Sequence, residues 1–196
     1  MQIGIFLDRD GTVNEEVSYL SSPVELRLIP GSADAIREAN RLGLRVFIMT
    51  NQAGIARGKF TEDQLTEVHK ALVQLLENEQ AQVDAIYYCP HHPDFGDGRY
   101  RKECSCRKPN IGMLLQAARE FDIDIEKSFV VGDRMIDVQT GNNAGATSIL
   151  VLTGYGKEDQ KLLLQNNTHV GHISDNLYAA MQFIKSTILK ERVPIQ

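Results

Sequence analysis

The 196-residue sequence has no tryptophan, only three cysteines and no surplus of basic residues. Each shortage excludes something. No apolar run approaches the ~18 residues a membrane-spanning helix needs, so a transmembrane protein is not expected. The first ten residues, MQIGIFLDRD, lack a basic region, and their apolar run stops at Asp8. A secretory signal is therefore not expected, and a cytoplasmic location is. Lys and Arg number 21 against 26 Asp and Glu, a formal net charge of −5. That balance argues against nucleic-acid and anionic-membrane partners. Three cysteines cannot all pair and are too few for a disulfide scaffold. The 42% hydrophobic and 24% charged content is that of a globular chain rather than a disordered one. The length suits one domain, residues 1–196, with an ample core.

Short apolar runs alternate with amphipathic segments. Residues 3–7, 44–49, 83–88, 128–131 and 146–152 read as strands, with a weak sixth near 169–173. Between them, 32–42, 61–76, 110–120 and 135–143 read as helices, and a last helix begins at Asp175. Ser32 and Asn110 are expected N-caps and Gly43 a C-terminal stop; Thr61 and Gln64 have capping-box spacing. Repeated strand–helix units predict an α/β fold, a doubly wound, mostly parallel sheet covered by helices. In such sheets ligands bind beyond the carboxyl ends of the strands.

Those ends carry the chemistry. After the first strand come Asp8 and Asp10, two apart and so on one side of extended backbone. Two carboxylates held together call for a cation or proton between them, and Asp133, after the fourth strand, would complete an oxygen cage for Mg²⁺. A carboxylate can also attack phosphorus, and a second can protonate the leaving alcohol and then activate water. Thr50 and Asn51 follow the second strand and offer a hydroxyl and an amide to phosphoryl oxygens. Lys108 offers positive charge where charge develops in the transition state. Alone, Asp-x-Asp-Gly is commonly a turn and Gly-Asp before a helix a cap. Their appearance after successive strands is what carries the argument.

The three cysteines all fall in a helix-poor stretch, 89–109. Cys89, His91, Cys104 and Cys106 form two close pairs, a four-ligand set suited to structural Zn²⁺. Four protein ligands leave no open position, so no catalysis is assigned to this metal. The loop runs directly into Arg107 and Lys108.

Asp8-x-Asp10-Gly11-Thr12, Thr50-Asn51, Lys108 and Gly132-Asp133-x-x-x-Asp137 resemble the four ordered motifs of haloacid-dehalogenase-type phosphatases, over roughly residues 3 to 150. The resemblance implies that Asp8 is the nucleophile and Asp10 the general acid/base. It also implies Mg²⁺ on Asp8, Asp133 and the Asp10 main-chain carbonyl, with Asp137 in support. The stretch Cys-Pro-His…Cys-x-Cys-Arg-Lys-Pro is similar to the branch holding the histidinol-phosphate and heptose-bisphosphate phosphatases. Residues 50–58, 87–93 and the long interval from Cys89 to Cys104 resemble the heptose-bisphosphate members. That likeness implies hydrolysis of the C7 phosphate of a heptose 1,7-bisphosphate, a small-molecule sugar bisphosphate, through an aspartyl-phosphate. It further implies a substrate site of Asp8, Arg9, Asp10, Glu16, Val17, Ser18, Tyr19, Thr50, Asn51, Gln52, Ala53, Arg107 and Lys108, with Arg107 recognising the sugar or its anomeric phosphate. Only short insertions separate the core elements, so no separate cap domain is expected, and the chain is expected to be a monomer.

Two places depart from the family pattern. Arg134 stands where members often have lysine, and Glu16 to Tyr19 is an unusual version of the early substrate loop; both are candidates to touch substrate. Three rival readings accompany this one: the same chemistry on histidinol phosphate, a non-catalytic, zinc-stabilised phosphate-binding module, and a nucleic-acid 3′-phosphatase, against which the net charge of −5 and the lack of a basic stripe count. His69 is expected to be a helix-packing residue, His169 and His172 to face solvent, and the last helix's apolar stripe to be core.

Overall fold

The computed structural model describes residues 1–192; the last four residues of the expected domain, 193–196, lie outside the described residues. The apolar runs form six parallel strands: β1 Gly4–Leu7, β2 Arg45–Asn51, β3 Ala85–Cys89, β4 Phe129–Gly132, β5 Thr147–Val151 and β6 His172–Ser174. They lie in the order β3-β2-β1-β4-β5-β6. Chain order therefore reverses between β1 and β4, which pair directly. At that switch point helices leave in opposite directions and open a crevice beyond the strand ends.

Alternation along each strand builds the layers. Ile5, Leu7, Val46, Ile48, Val131 and Val151 face one side, against α1 (Ser32–Arg41), α2 (Glu62–Asn78) and α6 (Leu177–Arg192). Phe6, Phe47, Met49 and Val130 face the other, against α3 (Gly112–Phe121). Leu150 meets Val138 of α4 (Met135–Ala144) and Leu163 of α5 (Gly156–Gln165). The doubly wound α/β architecture is as expected, and among the described residues no separate cap stands over the strand ends.

The capping box is present: the Thr61 hydroxyl accepts from Gln64 N–H at 3.2 Å and Gln64 Oε1 from Thr61 N–H at 2.9 Å. Two expected caps are not. α1 starts from Gly31, whose φ of 84° turns the chain into the helix, and the Ser32 hydroxyl is buried inside the first turn. α3 starts later than expected, because Asn110 Nδ2 donates instead to the Cys104 carbonyl at 2.7 Å and ties the cysteine loop down. His172 lies in β6, its ring stacked 3.9 Å from that of Phe183, rather than facing solvent. α5 was not expected at all. The last helix is core on its apolar side, with Leu177, Met181 and Ile184 buried. Among the described residues no helix is long and apolar enough to cross a membrane.

Candidate active site

Because β1 and β4 are neighbours, Asp8 and Asp133 emerge side by side. Asp8 N–H still donates to Val131 O at 2.9 Å, so the ladder itself fixes the first carboxylate. Lys108 arrives from the cysteine loop and is 2% exposed. Its ammonium lies 2.8 Å from Asp8 Oδ1 and 2.5 Å from Asp137 Oδ1. Asn51 holds the lysine's backbone from both sides, donating to Lys108 O (3.2 Å) and accepting from Lys108 N–H (3.0 Å). The Asn51 amide thus positions Lys108. Asp137 Oδ2 caps α4 by accepting from Arg134 N–H at 3.0 Å.

Electrostatics single this cluster out. Burial, only partly offset by Lys108, pushes the Asp8 carboxyl up to about 7, with Asp137 and Asp10 adding to the rise. Burial, then Asp8 and Asp137, pushes Asp133 up to about 8. Burial opposes the Lys108 charge, but Asp137 and Asp8 win and hold its pKa above the ordinary lysine value. Carboxylate oxygens of Asp8, Asp133 and Asp137 lie within 4.8 Å of one another. Asp133 Oδ1 is buried without a hydrogen-bond partner. A buried, unpartnered carboxylate oxygen beside a second carboxylate is what a hard divalent cation would satisfy, so the residues present fit Mg²⁺. Asp137 is less available to an ion, since Lys108 and the α4 amide occupy its oxygens. Gly11, at φ 75°, lets the backbone pass against Asp133, where any Cβ would collide with that carboxylate.

Asp10 is held by four donors. Arg9 grips both oxygens, Nε to Oδ1 at 3.0 Å and Nη2 to Oδ2 at 2.8 Å. Asn14 adds a bond to Oδ1 (2.9 Å) and Gln52 one to Oδ2 (3.0 Å). Burial favours the neutral acid, yet Arg9 and these bonds hold the carboxyl below the usual range. The Arg9 side chain is fully buried and turned onto Asp10 and His69, so it does not line the cleft, although it was expected in the substrate site with Asp8 and Asp10. His69 is more than helix packing. Burial and Arg9 push it down to about 3, and the neutral ring sits 3.1 Å from Arg9 Nη1.

These groups open onto a cleft of about 650 Å³, in the range of small-molecule sites. Glu16, Ser18, Tyr19, Thr50, Asn51, Gln52, Ala53, Arg107 and Arg134 line it with Asp8, Asp10, Lys108 and Asp133. Val17 does not; its side chain turns outward in a tight loop where Ser18 adopts φ 61° and its N–H bonds Glu16 Oε1. Burial and Asp10 raise the Glu16 carboxyl above its ordinary value. Arg134 is anchored, with Nε 3.1 Å from Asp159 Oδ2 and its guanidinium over the Tyr155 ring. Asp159 and Tyr155 belong to the unexpected α5 region, and Arg57 lines the cleft without having been expected there.

In the cysteine loop, the Sγ atoms of Cys89, Cys104 and Cys106 lie 3.2–3.5 Å apart. His91 Nδ1 lies 3.4 Å from Cys106 and 3.7 Å from Cys89. The sulfurs are too far apart for disulfides, whose bond is about 2.05 Å. Four donors a little over 3 Å apart approach the edges of a tetrahedron with ligands about 2.3 Å from its centre, so the set fits zinc. Burial and Lys102 depress the His91 imidazole, leaving it neutral as a ligand must be. Arg107 Nη1 donates to His91 O at 3.1 Å, tying this cluster to the cleft.

A HAD-hydrolase-like family model matches residues 105–180. A Haemophilus influenzae D-glycero-beta-D-manno-heptose-1,7-bisphosphate 7-phosphatase is 43% identical over 155 residues, 79% of this chain and 84% of that protein. A Chlorobaculum tepidum D-glycero-D-manno-heptose-1,7-bisphosphate 7-phosphatase is 40% identical over 183 residues, 90% of this chain and 91% of that one. Among solved structures, the D,D-heptose 1,7-bisphosphate phosphatase of B. bronchiseptica, complexed with magnesium and phosphate, aligns with a TM-score of 0.82 at 36% identity. That alignment covers 97% of this chain and 99% of that one.

Proposed function

The chain belongs to the D-glycero-D-manno-heptose-1,7-bisphosphate 7-phosphatase family of haloacid-dehalogenase-type hydrolases, and we propose from that footing how its own residues carry the reaction. It is a phosphoric monoester hydrolase that removes the C7 phosphate of D-glycero-D-manno-heptose 1,7-bisphosphate and leaves the heptose 1-phosphate. The observation that carries this reading is the Asp8–Lys108–Asp137 chain beside Asp133 at the floor of the cleft.

An Asp8 oxygen attacks phosphorus; the new O–P bond forms as the bond to the C7 oxygen breaks. Asp10 protonates that departing oxygen with a proton taken up as the substrate's phosphate enters beside it. In the free site, despite burial, Arg9 and its other donors favour the charged carboxylate. Water then attacks the phospho-Asp8 phosphorus while Asp10 takes its proton, releasing inorganic phosphate and restoring Asp8. Arg9, Asn14 and Gln52 keep Asp10 in one place through both half-reactions. The Thr50 hydroxyl accepts from Gln52 at 2.8 Å, which leaves its own proton free for a phosphoryl oxygen. Lys108 keeps Asp8 oriented and offsets its charge. Asp8, Asp133 and the Asp10 main-chain carbonyl would hold Mg²⁺, which when bound supplies charge neutralisation for the phosphoryl group. Cys89, His91, Cys104 and Cys106 would hold a structural zinc, and Arg107 and Arg134 face the sugar end of the cleft. A single-domain, monomeric, cytoplasmic enzyme without a nucleic-acid partner completes the reading.

The test is phosphate release with Mg²⁺ from heptose 1,7-bisphosphate, heptose 7-phosphate and histidinol phosphate, with the product identified by NMR. The bisphosphate should have the highest kcat/KM, and loss should occur at C7. A higher kcat/KM on histidinol phosphate would overturn the substrate assignment. For the loop, metal analysis of protein purified without chelator should find about one zinc per chain, and Cys106→Ser should lose it. That variant should melt roughly 10 °C lower, because the loop then has only its hydrogen bonds to close it. Wild-type protein free of zinc would sink this part of the reading.

A further inference from the structure

Four arginines approach the substrate region, and they are not alike. Arg9 is spent on Asp10 and Arg134 on Asp159. Arg57 and Arg107 have no carboxylate partner among the described residues; Arg107 meets the His91 carbonyl, and Arg57 meets a histidine and an aromatic ring. Both line the cleft.

The Arg57 contact is chemically incomplete. Its Nη2 lies 3.3 Å from His92 Nε2. His92 Nδ1, however, already accepts from the Asp94 backbone N–H at 3.0 Å. A neutral imidazole that accepts at Nδ1 carries its proton on Nε2, and a guanidinium has only donors. Two N–H groups therefore point into the same small space, and neither satisfies the other. What satisfies both is an acceptor set to one side of the pair, within reach of both N–H groups. A guanidinium fork beside a second N–H donor is suited to a phosphate oxygen pair.

The arrangement is built into the fold. The Arg57 guanidinium lies 3.9 Å above the Phe95 ring, and the His92 ring lies 4.7 Å from the same ring. Gly96, at φ 94°, presses against the 53–58 loop so closely that a Cβ there would sit 2.9 Å from Ala56 O. The tip of the cysteine loop is thus seated on the loop that carries Arg57. Tyr100 and Arg99 clamp it from the other side, each bonded to Glu62 at the start of α2.

We propose that Arg57 and His92 join Arg107 as an anion subsite at the cleft mouth, holding the substrate's second phosphate while the first is cleaved at Asp8. The proposal rests on the reading that the substrate is a sugar bisphosphate. It gives that preference a mechanism: the inner cleft is acidic, whereas the mouth presents two unpaired guanidinium groups. A substrate with a cationic tail would be repelled there, and a phosphate dianion held. It also gives the cysteine loop a direct part in recognition, through His92 and Phe95, besides carrying Arg107.

The experiment is the ratio of kcat/KM for heptose 1,7-bisphosphate to that for heptose 7-phosphate, which lacks the second phosphate. It is measured for wild type, Arg57→Ala, Arg57→Lys and His92→Phe. Arg57→Ala should lower the ratio about 30-fold, mainly through KM on the bisphosphate. Arg57→Lys should restore part of it, since charge remains but the fork is lost. His92→Phe keeps a ring beside Phe95 but removes the Nε2–H, together with the Nδ1 that accepts from the Asp94 N–H, so its ratio should fall about fivefold. If wild type prefers the bisphosphate and all three variants keep that preference, the subsite is wrong and the substrate reading stands. If wild type itself shows no preference, the bisphosphate reading fails and the subsite fails with it. General misfolding would depress both substrates together and leave the ratio unmoved, so a fall in the ratio is specific to the second phosphate.

Discussion

Asp8→Asn should abolish phosphate release, lowering kcat by about 10⁴-fold or more, and at the same time should make the magnesium-free protein harder to melt. The first effect follows from chemistry: an amide does not form the acyl phosphate, and among the described residues no other carboxylate beside Asp8 has both a lysine and an open cleft. The second follows from burial. The Asp8 carboxyl is raised from 3.8 to about 7 in the folded protein. A raised carboxyl supports the fold when protonated, below its unfolded pKa, and that support is lost as pH climbs through the folded value. At pH 8 without magnesium the charged Asp8 is therefore a burden, and asparagine, which still offers Lys108 an acceptor, removes it. The gain should grow between about pH 4 and 7, level off above, and amount to a few degrees of melting temperature. Rapid-quench assays for phosphoenzyme and melts across pH in magnesium-free buffer check the pair. Turnover within tenfold of wild type would remove Asp8 from the nucleophile's role. An inactive variant that also melts lower at pH 8 would mean that Asp8 supports the fold in its charged form.

Much of this arrangement was legible because its signals are local. A strand buried on both faces is a short apolar run whatever its neighbours, and residues 3–7 or 44–49 need no tertiary context to be read. Thr61 and Gln64 reach each other within one turn, so the capping box announces itself. The acidic residues could be placed because a parallel sheet delivers all strand ends to one edge. What stayed hidden depends on approach from far along the chain. Ser32 and Gly31 are both acceptable helix starters; the left-handed turn at Gly31 decides, and Ser32 goes inside. Asn110 has the chemistry of a cap, but the cysteine loop offers it a carbonyl first. Arg9 reads as a cleft residue from its place between two aspartates. Yet the chain bends at Arg9, and its buried side chain folds onto Asp10 and His69 instead of entering the cleft. Arg57 and His92 are 35 residues apart and meet only because Gly96 lets one loop rest on another. α5 is short and polar over its first half, and its Leu162–Leu164 run shows no helical stripe, since Leu163 alone is buried.

Lys108→Met should be the most damaging change to stability at the site and should also cost activity. The ammonium lies between two carboxylates and is almost wholly buried, so its removal leaves Asp8 and Asp137 buried without a countercharge, with Asp133 close by. Breaking such a cluster from one side costs about 3–5 kcal/mol, much of it the penalty on the charges left behind. A melting temperature lower by roughly 10 °C is expected. Losing a positive charge aimed at the reacting group should cost about 10²–10³-fold in kcat. The two losses have different origins and should separate in a second variant. Lys108→Met with Asp137→Asn removes one stranded carboxylate and should recover at least half of the lost stability, a coupling readable as a double-mutant cycle. It restores no charge beside Asp8, so kcat should stay where the single variant left it. Recovery of kcat along with stability would mean that Lys108 acts only by holding the fold together. Failure to recover stability would mean that the penalty lies in lost packing of the lysine's stem and not in the unpaired carboxylate.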